Sequence, residues 1–472
     1  MIQFFKNFFI YGLASVFGKI AAVFLMPFYT NILTKEEYGA IAMITACKGI
    51  IDLISNLNIH SGIARDYYEE NINRKKLVST GFFSILFFSF FILIILFFTR
   101  GFWVENVLNI SGYEKAFVFM LISIPAGSLL SYFSILTRFK NKPIQYSIGT
   151  AIQLLIQIGL SIYFILFLKT GIVGVFIAIV ISECFGILYF GLLNKEYISF
   201  TFDKKILINA LKFSLPTLPA ILAGWIDSSM GQLLIGRYVS LDELGVYSVA
   251  LQLVSVFTLI SVALNNVWSP YVYENYKKVN FTKEVSRLYK IVLYGLIFLT
   301  FNLSLMSKDI VLLLSNPSYI KASKYFILLC FPMCVYLLLP FVSVAVNLNR
   351  ETKYLSYSYV SGSVFNLVLL ILLLPRFGIM IVPVSLAISR IINYIILYNY
   401  AKKKINVLYP NKLLIIFLIV NILCFIIMQF DIHRFYIYGI TLLLDIMFIY
   451  WTNKKFKWIN LFLRKNNYSI KP

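Results

Sequence analysis

Charge is scarce in this sequence, and acid is scarcer than base. Only 13% of the 472 residues are charged, and 20 Asp and Glu stand against 42 Lys and Arg. A soluble domain carries about 25% charge, so this composition excludes an ordinary water-soluble fold. Histidine is nearly missing: His60 and His433 lie far apart, in or beside loops, and neither is assigned a catalytic role. The five cysteines (Cys47, Cys184, Cys330, Cys334 and Cys424) all sit in apolar segments, at spacings that fit neither a metal site nor a redox pair. A Walker A loop, an HExxH helix and a glycine-rich dinucleotide turn are also lacking. Their lack argues against an ATP-driven pump, and no metal or organic cofactor is expected. The longest polar stretches, His60 to Lys76 and Tyr271 to Arg287, leave no room for a catalytic domain outside a membrane.

What the chain has instead is apolar length. It is 60% hydrophobic. About 20 apolar residues at ~1.5 Å rise cross a hydrocarbon core of ~30 Å. Free backbone groups find no water there, so helices are the fitting solution, and the alternation of a barrel strand is not seen. The apolar runs predict about fourteen spans, near residues 8–32, 38–59, 77–99, 116–137, 144–168, 171–193, 209–236, 245–268, 288–306, 322–346, 355–374, 378–400, 411–430 and 434–452. The first is too long for a signal peptide and is interrupted by Lys19.

Most of the 42 Lys and Arg fall at the N-terminus, in every second loop and in the C-terminal tail. Arg74, Lys75 and Lys76 form one such group, and Lys402, Lys403 and Lys404 another. By the positive-inside rule both termini are cytoplasmic. The net charge of +22 is thereby accounted for, with attraction to anionic lipid as a supplement. No nucleic-acid partner is implied.

The chain also repeats itself. Glu37 and Gly39 recur as Glu243 and Gly245, and the shift then settles one residue longer. Ser123-Ile-Pro125 matches Cys330-Phe-Pro332, Gly171 matches Gly378, and Ile181-Ser182-Glu183 matches Ile388-Ser389-Arg390. Recurrence in one order at a nearly constant shift marks a duplicated unit. Six spans per unit is an even number, so the copies are parallel repeats about an axis along the membrane normal. The expected organisation is a six-helix N-terminal lobe over 1–203, a six-helix C-terminal lobe over 204–405, and two extra helices with a basic tail over 406–472.

Charges at membrane depth are the informative residues. Each costs at least ~2.5–3.5 kcal/mol on insertion scales, so it faces a cavity or a partner. Lys19, Lys48, Asp52, Glu183, Asp227 and Arg390 lie within spans. Asp52 follows Lys48 by one helical turn, where the two can pair. Glu183 and Arg390 occupy matching places in the repeats, so a bridge across the pseudo-axis is expected in at least one state. Asp227 has no basic residue at helical-neighbour spacing, which makes it the first candidate to carry a coupling ion. Prolines inside spans, Pro125 and Pro332 among them, set kinks or hinges. Asp445, outside the repeat, is read as structural.

Four stretches carry a family resemblance: Thr34-Lys-Glu-Glu-Tyr-Gly39, Lys212-Phe-Ser-Leu-Pro216-Thr-Leu-Pro219, Glu243-Leu-Gly-Val-Tyr-Ser248 and Leu374-Pro-Arg-Phe-Gly378. In these the chain resembles the Wzx-type O-antigen and capsule flippases of the multidrug/oligosaccharidyl-lipid/polysaccharide exporter superfamily. The resemblance implies an all-α integral membrane fold, two lobes around a central cavity lined chiefly by helices 1, 2, 7 and 8, and no enzymatic activity. It implies translocation of undecaprenyl-diphosphate-linked oligosaccharide across the bacterial cytoplasmic membrane, driven by a proton or sodium gradient, alongside a polysaccharide polymerase and chain-length machinery. Lys19, Lys48 and Arg390 are then the expected substrate contacts, and Asp227, Glu183 and Asp52 the expected coupling or gating acids. Many relatives carry Asp-Arg late in helix 7; here the pair is Gly231-Gln232, so its role does not transfer. A multidrug or cation antiporter, a glycan polymerase and a non-transporting scaffold are the alternatives. An antiporter should have an acid-dominated cavity, a polymerase a large outward loop, and a scaffold no costly buried charge.

Overall fold

The computed structural model describes residues 18, 23–69, 72–140, 142–405, 407–430 and 434–456. Among them every regular element is helical. In chain order the membrane helices are α1 (Val23–Ile32, its described part), α2 (Lys35–Asn56), α3 (Arg74–Phe98), α4 (Glu114–Phe139), α5 (Pro143–Leu166), α6 (Ile172–Asn194) and α7 (Lys204–Tyr238). They continue as α8 (Leu241–Asn275), α9 (Phe281–Leu305), α10 (Ala322–Leu348), α11 (Lys353–Phe377), α12 (Ile381–Lys404), α13 (Asn411–Ile427) and α14 (Arg434–Phe456). These correspond one for one to the fourteen expected spans.

The repeated motifs mark repeated local structure. Thr34 caps α2 in a full capping box, its hydroxyl accepting from the Glu37 amide while the Glu37 carboxylate accepts from the Thr34 amide. At the matching place Ser240 caps α8 by accepting from the Glu243 amide at 3.2 Å. There the Glu243 side chain turns away, to Lys321 and Tyr325 of the α9–α10 region. Gly171 before α6 and Gly378 before α12 both adopt positive φ, 59° and 67°, which a residue with a Cβ takes up only at a cost.

Helices α2, α4, α5 and α6 pack as one group with α3 on its flank, and α8, α10, α11 and α12 as a second with α9 beside it. These are the two lobes. Helix α13 rests on α9 and α10, and α14 on α9, where Asn302 donates to Asp445 at 2.9 Å. The structural reading of Asp445 fits that contact.

Helix α7 belongs to neither lobe alone. It begins at Lys204 rather than at 209, because Asp203 caps it by accepting from the Lys205 amide at 2.8 Å. Lys76 of α3 lies 2.8 Å from the same carboxylate. That ammonium, with the α7 amides, holds the Asp203 carboxyl below its ordinary range. The first stretch of α7 packs on α3 and on the short helix Ile59–Asp66. A 3₁₀ turn at Leu215–Thr217, where Pro216 and Pro219 remove backbone donors, breaks the run. The later part packs on α11 of the other lobe.

Candidate functional site

Two buried charge clusters sit inside the lobes. On α2, Lys48, Asp52 and Ser55 follow at helical spacing, so they share one face, turned toward α4 and α6. Lys48 Nζ lies 3.0 Å from Asp52 Oδ2 and 3.4 Å from Glu183 Oε1 of α6. The Ser55 and Ser128 hydroxyls, 3.2 Å apart, tie α2 to α4 just beyond. Gly127 of α4 makes the room: a Cβ there would stand 2.9 Å from Lys48 Nζ and 3.0 Å from Glu183 Oε1.

In the C-terminal lobe, Asp227 lies on a π-helical turn of α7, Ile226–Met230, a distortion that often accompanies functional sites. Its side chain is 1% exposed. Arg390 Nη1 of α12 lies 3.1 Å from Asp227 Oδ2, and Asn366 Nδ2 of α11 and the Ser389 hydroxyl both donate to the carboxylate at 3.1 Å. The Arg390 guanidinium also stands 4.8 Å from the centre of the Tyr336 ring of α10, a cation–π contact.

In this arrangement Glu183 and Arg390, expected to meet in at least one state, do not pair with each other. Each turns into its own lobe, Glu183 to Lys48 and Arg390 to Asp227. The lobes meet through α2, α7 and α8, so α6 and α12 stand behind that seam. The i,i+4 pairing of Lys48 with Asp52 is present as read. Asp227 does lack a cation at helical-neighbour spacing on α7, and its partner comes from α12. Lys19 and His433 lie outside the described residues.

At the end of the bundle that carries the α1–α2 and α7–α8 turns, the lobes are in direct contact. Gly39 of α2 and Gly245 of α8 face each other: a Cβ on Gly39 would fall 1.9 Å from the Leu241 carbonyl oxygen, and one on Gly245 2.2 Å from that of Lys35. Around them Tyr38 meets Tyr319 edge to face with centroids 6.2 Å apart. The Asn316 amide donates to the Thr30 hydroxyl at 3.1 Å, and Asn316 Nδ2 to Asn31 Oδ1 at 3.0 Å. Arg237 at the end of α7 donates at 2.8 Å to the carbonyls of both Asn106 and Val107. At the other end Gly62 packs against Ala210, and Asn58 donates to Thr217 at 2.9 Å. Midway, Trp225 Nε1 donates to the Ala46 carbonyl at 3.3 Å.

Sequence reasoning missed Asn366, Ser389, Tyr336 and Gly127 as supports of the ion pairs, and Asn316 and Arg237 as links across the seam. The glycines were visible as a repeat, though not as a contact. Away from the clusters, an apolar groove of about 700 Å³ lies between α3 and α7, lined by Phe83, Phe87, Phe90, Phe91 and Phe202.

Residues 4–276, more than half of the chain, match the family described as polysaccharide biosynthesis protein. No curated protein matches the sequence. Among solved structures, the lipid II flippase MurJ in an inward closed conformation is similar at 17% identity and a TM-score of 0.77, over 96% of this chain and 99% of that one. An inward-facing multidrug resistance MATE family transporter of the MOP superfamily is similar at 15% identity and 0.64, over 84% and 94%. A MATE transporter from Vibrio cholerae is similar at 14% and 0.55, over 85% and 97%.

Proposed function

This chain belongs to the polysaccharide biosynthesis protein family, and from that premise we propose that it is a flippase for a lipid-diphosphate-linked oligosaccharide. In this reading it carries an undecaprenyl-diphosphate-linked unit from the inner to the outer leaflet of the bacterial cytoplasmic membrane, for O-antigen, capsule or a related polysaccharide. Both termini are cytoplasmic, which sets the Gly39–Gly245 end of the bundle at the outer side.

The observation that carries the reading is the seam. Two lobes of a duplicated fold touch at repeat-equivalent glycines, and around them lie side-chain contacts that can part without unfolding either lobe. Alternating access requires such a seam. In this arrangement the outer side is closed, and at the opposite end the first stretch of α7 packs on the short helix Ile59–Asp66. Its 3₁₀ break at Leu215–Thr217 and its π turn at Ile226–Met230 are the places where the helix can bend.

Lys19 is the proposed first contact of the diphosphate. Lys48 and Arg390 are each held by carboxylates within the described residues, so they reach an anion only when those pairs open. The groove between α3 and α7 suits the polyprenyl tail. A polymerase and chain-length machinery are the partners that take the product on.

The reading is tested in cells by depleting the protein and probing which leaflet holds the lipid-linked oligosaccharide. Accumulation in the inner leaflet is the expected result. Normal appearance in the outer leaflet, with cationic drug efflux lost instead, would establish the antiporter alternative.

A further inference from the structure

The lobes hold their buried charge in unequal amounts. In the C-terminal lobe one carboxylate, Asp227, faces one guanidinium, Arg390, and Asn366 and Ser389 donate to it as well. In the N-terminal lobe two carboxylates, Asp52 and Glu183, share a single ammonium, Lys48. Among the described residues that cluster has one acid too many.

The surplus is visible atom by atom. Asp52 Oδ1 and Glu183 Oε2 are both buried with no hydrogen-bond partner among the described residues. Glu183 is only 8% exposed. Among the described residues the elements packed most on α6 are α2, α4 and α5. From α2 come Lys48 and Asp52; the charges of α4, Glu114, Lys115 and Arg138, sit at its two ends; α5 has no charged residue. Among the described residues, then, no further cation on these helices stands at this depth to balance the second acid.

A carboxylate held out of water without a counter-charge resolves the cost by taking up a proton, and two carboxylates at one site do not both stay ionised easily. A metal cation is the poorer occupant, since it would have to sit beside an ammonium already in contact with both acids. We propose that the Asp52–Glu183 pair is a proton-binding site, with Glu183 as the group that holds the proton. Glu183 is the choice because its side chain is the less exposed of the two, 10% against 31%, and it lies farther from Lys48, 3.4 Å against 3.0 Å. Protonation at Oε2 forms an O–H bond and removes one negative charge, leaving Lys48 and Asp52 as a neutral pair. Loss of that proton to water, by way of the partly exposed Asp52, restores the carboxylate.

As a coupling site this rests on the transporter reading, and it moves the carrier role from Asp227, whose charge is matched, to the opposite lobe. Gly127 belongs to the design, because a Cβ at that position would intrude on both Lys48 and Glu183.

The test needs no substrate. The full-length protein in lipid nanodiscs is titrated with pH while its infrared spectrum is followed. The expected result is a band of un-ionised carboxylic acid that disappears reversibly as pH rises. It should be lost in Glu183→Gln. It should also be lost in Asp52→Asn, which removes the surplus acid but leaves Lys48 and Glu183 as a balanced pair, so that folding is kept. It should persist in Asp227→Asn. No titrating band in the native protein, or a band that survives either Glu183→Gln or Asp52→Asn, overturns the proposal. Such a failure would leave the flippase reading untouched, because no transported substrate enters the measurement.

Discussion

Gly39 and Gly245 stand face to face across the seam of the two lobes, each in the same place in its own repeat, and neither has room for a single additional carbon. Small residues at helix crossings let backbones approach within a membrane. A duplicated chain that keeps glycine at both copies of one position thereby obtains a symmetric contact point, at the end where this structure is closed.

Enlarging that point should push the lobes apart. Gly39→Leu or Gly245→Leu is expected to destabilise the closed arrangement by roughly 1–3 kcal/mol, the usual range for overpacking. A cysteine placed at Tyr38 should become more reactive toward a membrane-impermeant thiol reagent in either variant. Unchanged reactivity would show that the glycines do not hold the seam.

The converse experiment locks it. Asn316 reaches Thr30 and Asn31 across the seam. Thr30→Cys with Asn316→Cys, in a Cys184→Ser background that removes the exposed native thiol, should cross-link on oxidation and stop transport. Reductant should restore it. Cross-linking that leaves transport at full rate would mean that the seam does not open during the cycle.

The ion pairs give a third prediction. Removing one partner of a buried pair typically costs about 3–5 kcal/mol, because the other charge is left unmatched. Asp227→Asn and Arg390→Gln should each lower thermal stability sharply, and the double variant should cost less than the sum of the two. The exchange Glu183→Arg with Arg390→Glu should rescue nothing, because the two residues belong to different clusters. Recovery of transport in that double variant would contradict the assignment of partners made here.

Much of this was legible in the sequence, for reasons that also set the boundary of what was not. Span number and order follow from hydrophobic length, which needs no tertiary information. The repeat was readable because Thr34 and Ser240 cap matching helices, and because Gly171 and Gly378 both take positive φ. Lys48 with Asp52 was readable because helical neighbours lie on one helix. The partners of Glu183 and Asp227 come from other helices, and their choice depends on how each helix is rotated about its axis. The repeat relationship pointed from Glu183 to Arg390, yet equivalent positions in two lobes need not touch. Gly39 and Gly245 are equivalent and do touch, because their helices form the seam.

Orientation has a direct check. A reporter fused after Pro472 should be active only in a form that reads the cytoplasm, and one placed in the α7–α8 turn near Ser240 only in a form that reads the outside. The reverse pattern would place the Gly39–Gly245 contact at the cytoplasmic side and invert the assignment of the closed face.

The central claim is movement of a lipid-diphosphate-linked oligosaccharide, and reconstitution tests it most directly. Purified protein in liposomes loaded with undecaprenyl-diphosphate oligosaccharide should bring the sugar of labelled lipid from one leaflet to the other, where an added glycan-cleaving enzyme or lectin detects it. The account predicts transfer well above that of protein-free liposomes, abolished by the Thr30–Asn316 cross-link and weakened by Lys19→Ala more than by Lys19→Arg. Transfer no faster than in empty liposomes, from protein that is folded and correctly inserted, would contradict it.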